Sequence, residues 1–398
     1  MKKSAAFVLT LALLLTSLLS LTASADVTVN FGTGYKTDAY HAVYGTPVVD
    51  GVRDALYDGS DPMYATQSSK EGTTTYAEYR MAFNRTSLFI WCHVSDSKLV
   101  TKGSGYAASS DSVDLFVDLA DGFVSGTTDA GVDSSSTEKD VGQFRIDPFL
   151  TAEKNIAKFG TKTNFGTVAN YNGANKAAEK RIQLAVGKDA DEKGYWFEMA
   201  IDFTEAYQQT LAAKLDAGKN ASLGFGLMVN DSVEAGSRDS FTVSQNCSNW
   251  AETKATTLGS SMARLGEVVL DAANYTPVET LGAQMKTDGS AVRVVFGVDS
   301  LKYQSIGFEV SQGDKRVEKT TTTVYTSVNG YAADGSELTY TAAGLKTGHL
   351  ITLRVTGFAA EGSFTVKPFV TGADGTRIYG KTVTLTVSGG ALTATYAD

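Results

Sequence analysis

The sequence predicts an all-β chain, an antiparallel β-sandwich followed by a second, smaller sandwich. Three observations carry this. Short runs alternate apolar and polar residues, as strands with one buried face do. Turn residues punctuate these runs, and the composition of 39 Gly and 5 Pro with many Thr, Val and Tyr suits strands joined by turns. Only Thr204 to Leu215 has clear helical character. Many short strands with turn signals between them favour a sandwich over a parallel α/β fold.

The first 25 residues carry the marks of an export signal. Lys2 and Lys3 are followed by an apolar run from Ala5 to Leu21 and then by Ala23-Ser24-Ala25, a small-residue cleavage site. No cysteine stands immediately after that site and no later stretch is apolar for long enough to span a bilayer. The expectation is an exported protein, extracellular or at the cell surface, cleaved after Ala25. Loss of Lys2 and Lys3 takes the formal charge from −9 to −11. An acidic chain repels phosphate backbones, which argues against nucleic acid as a partner.

The first sandwich is expected over 26–272. Val27 to Phe31 reads as a short strand, and Asp50-Gly51 as a turn before an irregular piece at Asp54 to Tyr57. Thr74 to Phe83 and Leu88 to Val94 form a hairpin across Asn84-Arg85-Thr86. Asp96 ends the second arm. Asp111 to Leu119 alternates strictly, with Val113, Leu115, Val117 and Leu119 on one side and Asp114, Phe116 and Asp118 on the other. Gln143-Phe-Arg-Ile-Asp147 alternates likewise, and the polar loop from Ser125 to Lys139 separates the two. Arg181 to Val186, Tyr195 to Phe203, Leu223 to Asp231 and Arg264 to Leu270 are further strands. Phe149 to Asn170 has no clear pattern.

A linker is expected at 273–279. Beyond it, over 280–398, the texture shifts to Thr/Val strands with tight Gly turns. Seven strands are expected, at 291–298, 305–310, 321–327, 338–342, 350–355, 364–370 and 382–387, an Ig-like count. Asp374-Gly375 is a hairpin turn. No residue cluster there demands chemistry, so a spacer or an attachment to a cell-wall or cell-surface partner is the expected role. The two cysteines differ in setting. Cys92 is in phase with Leu88, Ile90 and Val94, hence core, whereas Cys247 lies in a polar segment. Export permits a disulfide between them, but the two positions need not be close.

Known catalytic motifs are missing. His41, His93 and His349 form no H-E-x-x-H pattern, and there is no G-x-S-x-G elbow and no phosphate loop. His93 falls on the outward parity of its strand. A glycosidase needs only two carboxylates on a sugar-binding face, and Asp114 with Asp147 supplies such a pair. Arg145 on the same face would lower both pKa values, whereas a general acid needs one raised. The cluster is better suited to holding hydroxyls. A pyranose offers apolar C–H faces and a rim of hydroxyls, so it is held by an aromatic ring with carboxylates, amides and guanidinium groups around it. Asp114, Gln143, Arg145 and Asp147 provide the rim on one exposed floor. Trp250, in the polar segment Asn246 to Trp250, provides a platform. Trp91 and Trp196 lie in strands, where packing is their default role.

An ordered run of motifs then points to a family. It comprises Tyr44-Gly-Thr-Pro-Val-Val-Asp-Gly51 with Asp54, Leu88 to Asp96, Asp111-Ser-Val-Asp-Leu-Phe116 and Gln143 to Asp147. Gly194-Tyr195 with Glu198 and Ile201, Val229-Asn230-Asp231, Asn249-Trp250 and Leu265 to Leu270 complete it. From Ala42 to Leu270 the chain resembles a family 9 carbohydrate-binding module of the type appended to bacterial xylanases. The resemblance implies a non-catalytic β-sandwich that grips chain ends of xylan- or cellulose-type polysaccharides between two Trp rings. Trp250 matches one ring and Arg145 the sugar-contacting Arg. Asp114 stands where the family has Glu and Asp147 where it has Asn. The other Trp falls at Ala108, and Tyr106, two residues earlier, is the substitute ring on offer. Members also hold structural calcium, whose ligands the sequence leaves unassigned. Two other readings remain at this point: a cell-surface interaction protein that no longer binds sugar, and a glycoside hydrolase.

Overall fold

The computed structural model describes residues 27–31, 39–101, 110–118, 141–159, 182–234, 237–247, 265–285, 291–331, 337–342, 345, 347–356, 361–372, 375–389 and 391–396. The export signal, Tyr106, Ala108, Trp250 and the Ser125 to Lys139 loop lie outside them. No helix among the described residues is long and apolar enough to cross a membrane.

The N-terminal part contains β1 (Asn30–Phe31), β2 (Tyr40–Tyr44), β3 (Met63–Ser68), β4 (Tyr76–Phe83), β5 (Ser87–Ser95), β6 (Ser112–Asp118) and β7 (Val141–Ile146). Then come α1 (Ala152–Lys158), β8 (Ile182–Lys188), β9 (Gly194–Asp202), α2 (Glu205–Asp216), β10 (Ala221–Asp231), β11 (Ser240–Ser244) and β12 (Gly266–Leu270). The strands form one continuous sheet that folds on itself. Its path runs β1-β3-β11-β10-β12-β2-β4-β5-β9-β8, β6 and β7 extend from β10, and a β3–β4 pairing closes the ring. The result is a sandwich with one layer around β7-β6-β10 and the other around β8-β9-β5-β4. Most pairings are antiparallel, but β1 runs parallel to β3, and β2 runs parallel to both β12 and β4.

Alternation explains which residues fill the gap between the layers. Val113, Leu115 and Val117 of β6 meet Leu88, Ile90, Cys92 and Val94 of β5 and Tyr195, Phe197 and Met199 of β9 in one buried cluster. Each such side chain contributes roughly 1.5–3 kcal/mol when removed from water. The helix α2 begins one residue after the sequence signal, at Thr204, whose hydroxyl accepts from the Tyr207 N–H as an N-cap. Tyr207, Leu211 and Leu215 turn inward. Cys92 is core, as its phase predicts, and Cys247 is buried too; both thiols are free.

The C-terminal part contains β13 (Val278–Met285), β14 (Ala291–Val298), β15 (Ser305–Gln312), β16 (Lys315–Thr320), β17 (Ser327–Tyr331) and β18 (Glu337–Thr341). It ends with β19 (His349–Thr356), β20 (Gly362–Thr371), β21 (Arg377–Tyr379), β22 (Val383–Ser388) and β23 (Ala391–Tyr396). The sheets are β13-β14-β19, β16-β15-β20-β22-β23 with β21 on β20, and the pair β17-β18. Their facing sides share a core of Val294, Phe296, Phe308, Ile351, Phe364 and Leu385 among others. The expected strand at 321–327 is absent. β16 ends at Thr320 and only Tyr325 bridges, to Leu350. Val278 at the start of β13 already belongs to the second core, so extended structure begins inside the expected linker.

The two parts are joined by a polar junction. Asp299 at the end of β14 is fully buried and accepts from the Tyr44 hydroxyl at 2.7 Å, the Tyr303 hydroxyl at 2.6 Å and the Arg85 N–H at 3.2 Å. Its carbonyl accepts from Thr46 Oγ1 and Asn84 Nδ2.

Candidate functional site

Pairing of β6 with β7 sets Asp114 opposite Arg145 and Phe116 opposite Gln143. Pairing of β6 with β10 adds Asn230 opposite Ser112 and Met228 opposite Asp114. Directly opposed residues point to one side, so alternation and register place Asp114, Gln143 and Arg145 on a shared face away from the core. The Arg145 guanidinium grips Asp114 in a two-pronged pair, Nε to Oδ1 and Nη2 to Oδ2, both 2.7 Å. Asn230 Nδ2 donates to Asp114 Oδ2 at 3.1 Å and to Ser112 Oγ at 3.2 Å, and Arg238 donates to Asn230 Oδ1 at 3.0 Å. Planar guanidinium and carboxylate match in this geometry, which fixes direction as well as position.

Two features differ from the sequence expectation. The face is not an open floor: Ser112, Asp114, Phe116, Gln143, Arg145, Met228 and Asn230 are all buried. Buried charges persist where they pair with each other, and Asp114 with Arg145 does so. Asp114 therefore holds Arg145 rather than offering both oxygens to a ligand. Asp147 follows β7 and serves its turn. Its Oδ1 accepts from the Phe149 N–H and its N–H donates to Asn155 Oδ1, both at 2.9 Å. The short helix α1 that carries Asn155 lies in the stretch whose pattern was unclear. Trp250 and Tyr106 lie outside the described residues; in sequence, Trp250 follows three residues after the buried Cys247, whose carbonyl accepts from Gln67 Nε2.

A second constellation is assembled entirely by tertiary structure. Asp96 closes β5, Asp111 precedes β6 and Asp231 closes β10, and one carboxylate oxygen from each lies within 4.8 Å of the others. The Asp111 oxygens accept from the Val100 and Ser232 N–H groups. Asp96 Oδ1 accepts from the Lys98 N–H, while Asp96 Oδ2 has no partner although it is buried. Ser232 Oγ and the Tyr195 hydroxyl are also buried and unpartnered. Burial, with the neighbouring carboxylates, raises Asp96 to about 6 and Asp111 to about 8. Among the described residues no Lys or Arg forms an ion pair with any of the three. Clustered carboxylates with an unused oxygen and a hydroxyl are the donor set of a hard cation such as calcium. The residues fit one. Asp96, Asp111 and Asp231 would hold it, with Ser232 beside them, and its charge would offset their repulsion and tie three strand ends together. A cleft of about 260 Å³ adjoins the cluster, between Thr73, Lys98 and Asp239. Each Asp was visible at a strand end in sequence; nothing there said that the three ends meet.

Glu198 on β9 is a further buried carboxylate. It accepts from the Asp50 and Gly51 N–H groups at 3.2 and 3.1 Å and from the Tyr57 hydroxyl at 3.0 Å. It ties the 45–60 loop to the sheet. Burial raises it to about 7, against the pull of these donors.

The chain is similar to family 9 carbohydrate-binding modules and to enzymes of polysaccharide breakdown. It is 25% identical over 197 residues to endo-1,4-beta-xylanase A of Thermoanaerobacterium saccharolyticum, 50% of this chain and 14% of the relative. It is 28% identical over 199 residues to exoglucanase XynX of Acetivibrio thermocellus, again 50% and 14%. The chain thus matches only about a seventh of the length of these relatives. Among solved structures, a family 9 module from Caldicellulosiruptor kristjanssonii in complex with glucose aligns at 17% identity and a TM-score of 0.39, over 59% of this chain and 96% of that one. The same organism's module with cellotriose aligns at 18% and 0.37, over 59% and 94%. No family model matches the chain.

Proposed function

We propose that this is an exported, non-catalytic carbohydrate-binding protein that takes the chain ends of xylan- or cellulose-type polysaccharides and oligosaccharides. The observation that carries the reading is the Asp114–Arg145–Asn230 network. It holds a guanidinium in one orientation beside Gln143, on the face that the family-ordered motifs supply. Such a network fixes a guanidinium and a carboxamide in one orientation without a net charge, beneath the surface on which this reading seats the sugar. The sequence relatives are by name a xylanase and an exoglucanase, which supports a plant-polysaccharide class. In this reading Trp250 is the aromatic platform, Tyr106 the second ring, Arg145 and Gln143 the polar contacts, and Asp114 the group that positions Arg145. Asp147 acts through the turn that follows β7.

Hydrolysis is disfavoured by the same geometry. Both Asp114 oxygens are engaged by Arg145 and Asn230, so Asp114 has no place for a transferable proton, and Glu198 is enclosed beneath its loop. The reading is tested by titrating the mature chain with xylo- and cello-oligosaccharides. Trp250→Ala is expected to lose at least ~1 kcal/mol of affinity, the scale of one aromatic packing interaction. Unchanged affinity removes Trp250 from the site. New reducing ends during incubation would overturn the non-catalytic assignment. The second part is assigned a spacer or attachment role toward a cell-wall or cell-surface partner.

A further inference from the structure

The layer opposite the Arg145 face has an outward side of its own. Register pairing aligns Tyr64 of β3, Glu78 of β4, His93 of β5 and Trp196 of β9 in one row across four strands. Trp91 and Arg80 lie in the next row on the same side. None of these six is buried and none is fully exposed.

The rings are held in place. A Cβ at Gly187, the register partner of Trp196 on β8, would fall 2.4 Å from an indole carbon, and one at Gly51 would fall 2.3 Å away. The indole thus lies across the neighbouring strand in space that only glycine leaves. The Arg53 guanidinium stands 5.1 Å from the Trp91 ring centre, a stacked cation. The polar groups neutralise one another, with Arg80 Nε on Glu78 Oε1 at 3.1 Å and His93 Nε2 against Asp189 Oδ2 at 2.8 Å. Trp91 packs in one cluster with Val49, Leu56 and Tyr57 of the 45–60 loop, so the open part of this side is the row that carries Tyr64, His93 and Trp196. A row of half-exposed rings calls for a partner, whereas single exposed aromatics do not. Self-paired charges offer little to a phosphate, a basic peptide or an acidic one. Flat rings beside paired donors and acceptors match a neutral ligand with apolar faces and hydroxyl edges.

We propose that this outward side of β3-β4-β5-β9 is a second carbohydrate-contact surface, one that takes the interior of a neutral polysaccharide chain laid across the strands. It rests on the sugar-binding reading in its ligand class, but not on the Trp250 site. The test compares the full chain with Tyr64→Ala/His93→Ala, with Trp250→Ala and with all three substitutions. Binding is measured to xylotriose and cellotriose and to insoluble xylan and cellulose, and each variant's melting is checked. Trp250→Ala is expected to weaken trisaccharide binding at least about fivefold and to keep part of the polymer binding. Tyr64→Ala/His93→Ala is expected to leave trisaccharide binding unchanged and weaken polymer binding roughly fivefold, the scale of one aromatic contact. The triple variant should be weakened toward both, and more toward polymer than either parent variant. Polymer binding untouched in a folded Tyr64→Ala/His93→Ala protein overturns the second surface and leaves the first. Polymer binding that needs Tyr64 and His93, in a chain that takes no trisaccharide, supports the second surface and overturns the first. A chain that binds no polymer overturns the second surface, and one that binds neither polymer nor trisaccharide overturns both.

Discussion

Asp299 at the junction and the Asp96–Asp111–Asp231 group at the edge of the first sandwich are both buried carboxylate centres, yet they are built in opposite ways. Around Asp299 the side-chain oxygens accept from two tyrosine hydroxyls and a backbone N–H, and the carbonyl accepts from two further side chains. At the three-carboxylate group an Asp96 oxygen and two hydroxyls, of Ser232 and Tyr195, are buried without partners. A saturated buried acceptor locks two surfaces together, because removing it strands every donor aimed at it. An unsaturated group of like charges is costly unless a cation completes it. The difference separates a joint from a candidate cation site.

The largest expected effect is on the joint. Asp299→Ala leaves the Tyr44 and Tyr303 hydroxyls and the Arg85 N–H without their acceptor, at about 1–3 kcal/mol for a stranded group. A total loss of about 3 kcal/mol or more in denaturant unfolding is expected, with faster proteolytic cleavage near 275–277. A loss within experimental error would mean that the junction does not couple the two parts. The next effect is on the candidate cation site. Calcium at a hundred times its Kd is expected to stabilise the chain by about 2.7 kcal/mol over the chelated protein, and Asp111→Asn should abolish the response. Equal melting temperatures with calcium and with chelator would remove the cation from the account. Asp299→Ala should still respond to calcium, which keeps the two centres apart.

Glu198 sharpens the contrast with the smallest effect, a slope rather than a loss. It has three donors, as Asp299 does, yet burial raises it to about 7 from an ordinary 4.5. The folded state then binds its proton more tightly than the unfolded state. This contribution is full below about pH 4.5 and is lost as pH rises through about 7. Melting temperature should therefore fall more between pH 5 and pH 7 in the native chain than in Glu198→Gln. Parallel profiles would show that the donors, not burial, set its proton affinity.

Much of the architecture was legible because it follows from local pattern. The alternation in β6 and β7 specified which side of each is apolar, and Thr204 announced the start of α2. The strands β2, β3 and β11 were not legible. Tyr-His-Ala-Val-Tyr44, Met-Tyr-Ala-Thr-Gln-Ser68 and Ser-Phe-Thr-Val-Ser244 are short, and buried Thr66, Gln67, Ser68, Thr242 and Ser244 make their cores look polar. The Thr66 and Ser244 hydroxyls and the Gln67 amide are met by partners far along the chain: Gln245 on Thr66, Tyr79 on Ser244, and the Ser244 carbonyl for Gln67. No local window contains that information. The same limit hid α1, which is only seven residues long.

The sequence by itself determined the class of fold, the inward and outward sides of its long strands, and the chemistry of the residues on the Arg145 face. Those properties depend on side-chain period and type, which are local. Tertiary structure alone decided that Asp114 holds Arg145 in a buried pair, that Asp147 serves a turn and that three distant aspartates converge. It also decided that Tyr64, His93 and Trp196 share one row. Each of these depends on which strands pair and in what register, and register is set by the burial of the whole sheet rather than by any single stretch of chain.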